Sequence, residues 1–464
     1  MVTIFTIIAN TILIFEIRII GRETFLSSLS PSCIFLAMKY SLLIRFQNSL
    51  LMYSVHFFRK SFLLFFLFSC QAQHTETSDL EKTTTSIEKT ESISSQPVQV
   101  GAEKIDDYLP LLSQKRVGIV GNQTSRVGTR HLVDTLLELG VDLVTVFSPE
   151  HGFRGDADAG EKVDSKKDEK TGLPIVSLYG KNKKPTASQL ASIDVIVFDI
   201  QDVGARFYTY ISTLHYVMEA CAEQDKKLIV LDRPNPNGHI VDGPVRKKGF
   251  SSFVGMHPIP ILHGMTIGEY ALMINGEKWL NEGITCELEV ITCDNYTHDK
   301  FYSLPVAPSP NLRSDASIAL YPSLCLFEGT LLSVGRGTEQ SFTVFGHPDL
   351  KSNADVYSYT FTPQPSYGAK NPKLNGEQCY GRNLEEIGVN GLDNLRIDWL
   401  IETYNALHKE DFFITKNKWF DLLAGTDQLR KQIIAGKSEQ EIRNSWVPEL
   451  EAFKKVRSNY LKYD

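Results

Sequence analysis

Four short apolar runs, at positions 117–120, 143–147, 195–198 and 228–231, each stop on a cluster of polar and ionisable residues. The runs are near-continuous rather than alternating, which is how a strand reads when both of its faces are covered, so they predict a parallel sheet. Between the first two, Leu132, Leu136 and Leu139 recur at helical spacing; between the last two, so do Ile211, Leu214, Met218 and Cys221. Strand and helix alternating in this way give right-handed crossovers and a doubly wound α/β domain. A fifth run, 259–262 before His263-Gly264-Met265-Thr266, predicts a further strand.

Ligands of such sheets bind beyond the carboxyl ends of the strands, where loops and helix starts gather. The four polar clusters lie at that edge: Gly121-Asn122-Gln123, Ser148-Pro149-Glu150-His151-Gly152, Asp199-Ile200-Gln201-Asp202 and Asp232-Arg233-Pro234-Asn235. Farther on, Ser309-Pro310-Asn311, Phe327-Glu328-Gly329-Thr330 and Gly335-Arg336-Gly337-Thr338-Glu339 form a second polar, glycine-rich stretch. A border near His347-Pro348 then separates a doubly wound domain, 98–348, from a smaller α+β part, 349–464. In the latter, residues 357–361 and 379–381 read as strands, and 395–408 and 439–460 as helices.

The first 97 residues have a different character. Arg59-Lys60 precede an apolar stretch, 61–68, that is too short to span a bilayer, and Ser69-Cys70 closes it. A basic start, a short apolar centre and a small residue at the cut describe an export signal over 52–70, and Cys70 is the candidate for lipidation. Residues 1–51 then form an upstream extension absent from the mature protein; the competing reading, a membrane segment over 2–15, is weakened by its shortness and by Glu16 and Arg18. Residues 71–97, rich in Thr, Ser and Glu and free of aromatic rings, bury too little apolar surface to offset their ordering entropy and read as a solvated tether. An exported, membrane-anchored envelope protein is the expectation.

Residues 1–69 hold six Lys or Arg against two acidic residues, so without them the net charge moves from −7 to −11. An acidic body with no basic stripe argues against nucleic acid. Cys221, Cys286, Cys293, Cys325 and Cys379 show no C-x-x-C pairing, which supports neither a zinc site nor a disulfide framework. The turn Gly118-Ile119-Val120-Gly121-Asn122 lacks the third glycine of a dinucleotide fingerprint, and no P-loop, serine elbow or H-E-x-x-H is present. No cofactor is expected.

Carboxylate chemistry remains. Cleavage of a glycosidic bond needs an acid to protonate the departing oxygen, and a second carboxylate or the sugar's own acetamido group to stabilise the cationic centre. Glu150 is the first candidate for the acid, with His151 beside it to bond it or a substrate oxygen; the competing reading is a pair that caps the following turn. Asp199 is the candidate second carboxylate, and equally an ordinary helix N-cap. Arg206 offers a guanidinium fork for a substrate carboxylate, or a salt bridge to Asp202. Asn122, Gln201, Asp202, Tyr208, Arg233, Asn235, Asn311, Glu328, Arg336 and Glu339 are further candidate contacts, although turns use the same residue types for local reasons. The charged segment 156–170 reads as a mobile loop beside Glu150.

These motifs resemble the exo-acting β-N-acetylmuramidases of the NamZ type. The likeness runs from about Val117 to the C-terminus. It rests on Gly121-Asn122-Gln123-Thr124-Ser125, the stretch Ser148-Pro149-Glu150-His151-Gly152-Phe153-Arg154-Gly155, Thr171-Gly172-Leu173-Pro174 with Ser177-Leu178-Tyr179-Gly180, the run from Asp199 to Tyr210, Asp232-Arg233-Pro234-Asn235-Pro236, Glu328-Gly329-Thr330 and the Gly335 to Glu339 turn. Gln340-Ser341 departs from the pattern, standing where a proline is expected. The resemblance implies a Rossmann-like domain with a smaller C-terminal domain, release of N-acetylmuramic acid from the non-reducing end of peptidoglycan fragments, and Glu150 as the catalytic residue. It also implies a cation for the sugar's lactyl carboxylate, with Arg206, Arg233 and Arg336 as candidates. Retention and inversion of configuration both stay open, since they turn on a carboxylate separation.

Overall fold

The computed structural model describes residues 96–154 and 166–464. Cys70, the extension and signal before it, most of the tether and the heart of the charged 156–170 loop lie outside the described residues.

The strands are β1 (Arg116–Gly121), β2 (Arg126–Val127), β3 (Arg130–His131), β4 (Asp142–Ser148), β5 (Lys166–Lys167), β6 (Pro174–Ser177), β7 (Val195–Asp199), β8 (Lys227–Leu231), β9 (Leu288–Ile291), β10 (Val344–His347), β11 (Tyr359–Phe361) and β12 (Cys379–Asn383). A seven-stranded sheet takes the order β5-β6-β4-β1-β7-β8-β9. Its five pairings from β6 to β9 are parallel, and only the short β5 runs antiparallel, against β6. The parallel strands therefore stand third-second-first-fourth-fifth-sixth, the doubly wound order whose direction of winding reverses between β1 and β7. All four predicted runs are strands of this sheet, at its centre, and β7 is buried along its whole length.

The crossovers are helical. They include α1 (Leu132–Glu138) between β1 and β4, α2 (Tyr210–Glu223) between β7 and β8, and α3 (Ile267–Gly276) between β8 and β9. The α2 stripe predicted from Ile211, Leu214, Met218 and Cys221 is buried, and so are Ser212, Thr213 and His215, because α2 packs on α3 as well as on the sheet. Thr266 opens α3 by accepting the Glu269 amide, while the Glu269 carboxylate bonds the Thr266 amide in return, a reciprocal cap that fixes where the helix starts.

The run at 259–262 is not a strand of the sheet. Its residues are buried, but it forms only isolated bridges, Ala205 with Leu262 and Asp242 with Leu262. Pro258 and Pro260 remove two ladder donors, and its carbonyls are already engaged: Ile259 O accepts from Arg206 and from the Arg246 amide, and Ile261 O from the Arg206 amide. The sixth parallel strand is β9, whose half-exposed, alternating pattern suits an edge position and gave no apolar run.

Beyond β9 the chain forms α4 (Asp315–Leu324), the antiparallel sheet β10-β12-β11, α5 (Asp398–Leu407) and the long α6 (Glu439–Arg457). One apolar cluster runs from Phe147 and Phe198 through Leu320, Phe345 and Trp399 to Trp446 and Phe453, so the segments beyond β9 are packed directly onto the α/β layers. A second cluster, with Tyr108, Ile119, Leu136 and Leu231, covers the opposite face of the sheet.

Arg206 is the polar counterpart of that packing. It is fully buried; Nη1 donates to Pro244 O and Ile259 O and Nη2 to Leu423 O, each at 2.8 Å. Gly425 lies flat against this guanidinium, where an added Cβ would sit 2.6 Å from Nη2. Arg206→Met would strand three buried carbonyls, and should cost on the order of 3–6 kcal/mol of stability, read as a lowered urea midpoint.

Candidate active site

At the carboxyl edge of the sheet the loops after β4, β6 and β7 face residues 309–342, 368–373 and 419–423 across a cavity of about 1000 Å³. Glu150 lies on its wall, on a turn closed by Gly152 N to Pro149 O. His151 and Gly152 both take positive φ, 73° and 81°. A histidine in the left-handed region is strained, and such strain persists where the surroundings enforce it, as they do at active sites. The turn presents Glu150 and His151 together to the cavity. Thr209 Oγ1 donates to Glu150 Oε2 at 2.8 Å. Tyr179, on the turn after β6, also hydrogen-bonds Glu150; burial and then this carboxylate push its hydroxyl above its ordinary range.

Facing Glu150 are Glu328 and Arg336, joined through Arg336 Nε and Glu328 Oε1, with the guanidinium 4.9 Å over the Phe342 ring. Neither Nη of Arg336 is drawn into that pair. Lys373 also lines this side, its ammonium held by the carbonyls of Phe327, Glu328 and Thr330 at 3.4, 3.3 and 2.5 Å. Burial pulls its pKa down to about 8. Lys183, 4.4 Å over the Phe253 ring, and Lys370 complete the cationic lining. Four Lys or Arg therefore meet two carboxylates, Glu150 and Glu328, in a chain whose net charge is negative. Tyr208, Tyr321, Phe207 and Phe342 add an edge-to-face aromatic wall, and Phe253 and Trp419 further rings.

Of the residues singled out from sequence, Glu150, His151, Tyr208, Glu328 and Arg336 line the cavity. The others do not. Asp199 is fully buried, and its two oxygens accept from Arg233 Nε at 2.6 Å and Nη2 at 2.9 Å. Arg233 gives its remaining reach to Arg126 O. Neither is an N-cap nor a cavity group; the pair closes the crevice between β1 and β7. Asn122 donates to the Tyr210 hydroxyl at 3.0 Å and accepts from Thr124. Gln201 bridges Asp202 O and Pro234 O, and Asn235 ties Met265 O to the Asn237 amide. Asn311 supports the wall from behind, donating to Gly368 O at 2.7 Å. Arg206 forms no salt bridge to Asp202 and serves as the interdomain clamp described above. Glu339 points outward, its side chain 91% exposed and paired with Arg313.

Sequence reasoning missed Tyr179, Lys183, Thr209, Phe253, Lys370, Lys373 and Trp419. Tyr179 and Thr209 sit inside motifs already noted. Lys370 and Lys373 belong to an irregular loop without periodicity, and carry no signal that separates them from surface lysines.

An α/β sheet of this winding, with a carboxylate on a strained turn over a cationic and aromatic cleft, defines a sugar-directed site on a doubly wound fold. Family models described as exo-beta-N-acetylmuramidase NamZ, N-terminal and C-terminal, match residues 117–316 and 319–463. The chain belongs to the NamZ family. It is 39% identical over 382 residues to the peptidoglycan beta-N-acetylmuramidase NamZ of Bacillus subtilis strain 168, covering 79% of this chain and 91% of that protein. It is similar to two crystal structures of DUF1343 family proteins from Bacteroides fragilis NCTC 9343. One is 47% identical with a TM-score of 0.72, over 80% of this chain and 99% of the other; the second is 30% identical with a TM-score of 0.66, over 79% and 99%.

Asp202 has its own pH signature. Its Oδ2 accepts the Gly204 amide at 2.7 Å, Oδ1 has no partner, and burial pushes its pKa up to about 7. His263, 4.0 Å away, offers no compensating charge, since burial pulls it down to about 3. As pH rises from about 4 to about 7 the unfolded chain sheds a proton that the folded chain retains, so stability falls across that window. Asp202→Asn should match the wild type in urea unfolding at pH 4 and exceed it at pH 8, by on the order of 2–4 kcal/mol.

Proposed function

We propose that this protein is an exo-acting glycosidase that releases N-acetylmuramic acid from the non-reducing end of peptidoglycan fragments, with Glu150 as the group that protonates the departing oxygen. The observation that carries the reading is the placement of Glu150, on a strained turn after β4, with its carboxylate oriented by Thr209 inside a cleft whose other ionised groups are mainly cations. An acid there meets the glycosidic oxygen, while a cationic surplus suits an acidic sugar. The chain's membership of the NamZ family and the named activity of the Bacillus subtilis relative support the same substrate.

Each remaining group has a place in this scheme. Arg336 keeps both Nη atoms for a bidentate contact and is the choice for the lactyl carboxylate, since Arg206 and Arg233 are bound to protein groups. His151 sits beside the acid on the same turn. With Asp199 closed in by Arg233, stabilisation of the cationic centre falls to Glu328, the other carboxylate lining the cavity among the described residues, or to the sugar's acetamido group. The sequence over 52–70 supports export and lipidation at Cys70, which would hold the enzyme in the cell envelope where its substrate lies.

The test is turnover of a chromogenic β-N-acetylmuramide by protein lacking residues 1–70. Glu150→Gln should lose on the order of 10³-fold or more in kcat with an unchanged unfolding midpoint. Saturable binding of muropeptides by the wild type without any turnover would instead mark a non-catalytic wall-binding protein. Arg336→Met should raise KM for the muramide about tenfold or more, and change KM for the matching glucosaminide, which lacks the lactyl group, by much less.

A further inference from the structure

We infer that Thr209 is a positioning residue for Glu150, an assignment that rests on the glycosidase reading above. Thr209 occupies the N-cap position of α2, where a threonine hydroxyl ordinarily accepts an amide of the first helical turn. It makes no such bond. Elsewhere in the chain Thr186, Thr266, Ser314 and Ser438 hold the same position with extended backbones, ψ between 156° and 168°, and each hydroxyl accepts the amide three residues on. Thr209 has helical dihedrals instead, φ −73° and ψ −4°. An N-cap side chain that bonds its own helix typically does so from the extended region. The backbone of Thr209 therefore turns the hydroxyl off α2, and it donates to Glu150 Oε2 at 2.8 Å.

The helix start holds without that cap. Thr209 O accepts the Ser212 and Thr213 amides at 3.0 Å each, and the first turn of α2 is buried against the apolar cluster. The hydroxyl is thus mounted on one of the most enclosed elements of the fold. Glu150, by contrast, rides on a turn whose His151 and Gly152 both take positive φ, and it is bonded as well by Tyr179 from the turn after β6. A bond from a rigid helix to a side chain on a strained turn sets the direction in which the acid faces the cleft. A local rule of helix capping is broken where the reacting group needs orientation, and such breaks concentrate at functional sites.

The experiment compares Thr209→Val, which keeps the shape and removes the donor, with Thr209→Ser, which keeps the donor. Kinetics on the aryl muramide and thermal midpoints are measured for both. Valine should lower kcat about 10- to 100-fold with KM within about twofold, the scale on which a slightly misplaced reacting group acts. Serine should keep at least about a third of the wild-type kcat, and both midpoints should stay within about 2 °C of the wild type. Valine at full kcat overturns the assignment, as does serine no better than valine. A fall in midpoint shared by the two variants would mark an ordinary structural threonine and overturn it as well. If valine does not fold, Thr209→Ala carries the same comparison. A wild type without turnover overturns the glycosidase reading and this assignment together, whereas an active wild type with an indifferent valine variant overturns the assignment alone.

Discussion

Asp199 and Arg233 meet in a two-bond fork, 2.6 and 2.9 Å, with both side chains buried. The fork stands at the carboxyl ends of β7 and β8, beside the crevice where the winding of the sheet reverses. Doubly wound sheets keep that crevice for a ligand. Here it is filled by the chain itself: Ser125 Oγ bonds Asp199 O, Thr124 bonds Asn122 and the Gln201 amide, and Arg233 reaches Arg126 O. Two opposite charges placed so deep are tolerable only because each satisfies the other's fork geometry; removing one would leave the other uncompensated in the interior.

Filling the crevice moves the usable cleft. The cavity opens over the loops that follow β4, β6 and β7, and its far wall comes from the segments beyond β9. That wall has to be held rigidly against the sheet if the cleft is to keep its shape. Arg206 does so through carbonyls on both sides, Pro244 and Ile259 on one and Leu423 on the other, within the apolar cluster that spans both parts. Gln123 and the Tyr210 hydroxyl add a second tie, both bonding Pro308 O just before the Ser309 strip of the wall. Residues that look like ligand contacts by type thus work one layer out, as the frame that sets the distance between Glu150 and Arg336.

The electrostatics of the cleft follow from this frame. Glu328 orients Arg336 and Lys373 seals the carbonyl end of the 325–330 turn, so two cations and one anion form a fixed constellation opposite a single oriented carboxylate. The prearrangement matters because a site reorganised only on binding would have to order these long side chains at the moment of reaction.

The sequence by itself determined the sheet and the edge at which its polar clusters gather. Four of the continuous apolar runs are strands covered on both faces, so β1, β4, β7 and β8 were legible, and with them the carboxyl edge where Glu150 stands. It also determined the family, because the motifs at Asn122, Glu150, Asp199 and Arg233 recur in one order. It misread 259–262, where hydrophobicity is real but the prolines and the engaged carbonyls exclude a ladder, and it missed β9, whose alternation belongs to an open edge. Only the tertiary structure decided which polar residues face the cleft. A charged side chain looks the same in sequence whether it meets a ligand or an internal carbonyl; Arg206 and Arg336 differ in what lies within 3 Å, and that depends on segments over 200 positions apart in the chain, as Arg206 and Leu423 are. The same holds for Lys373 and Thr209, whose roles come from neighbours that local pattern cannot name.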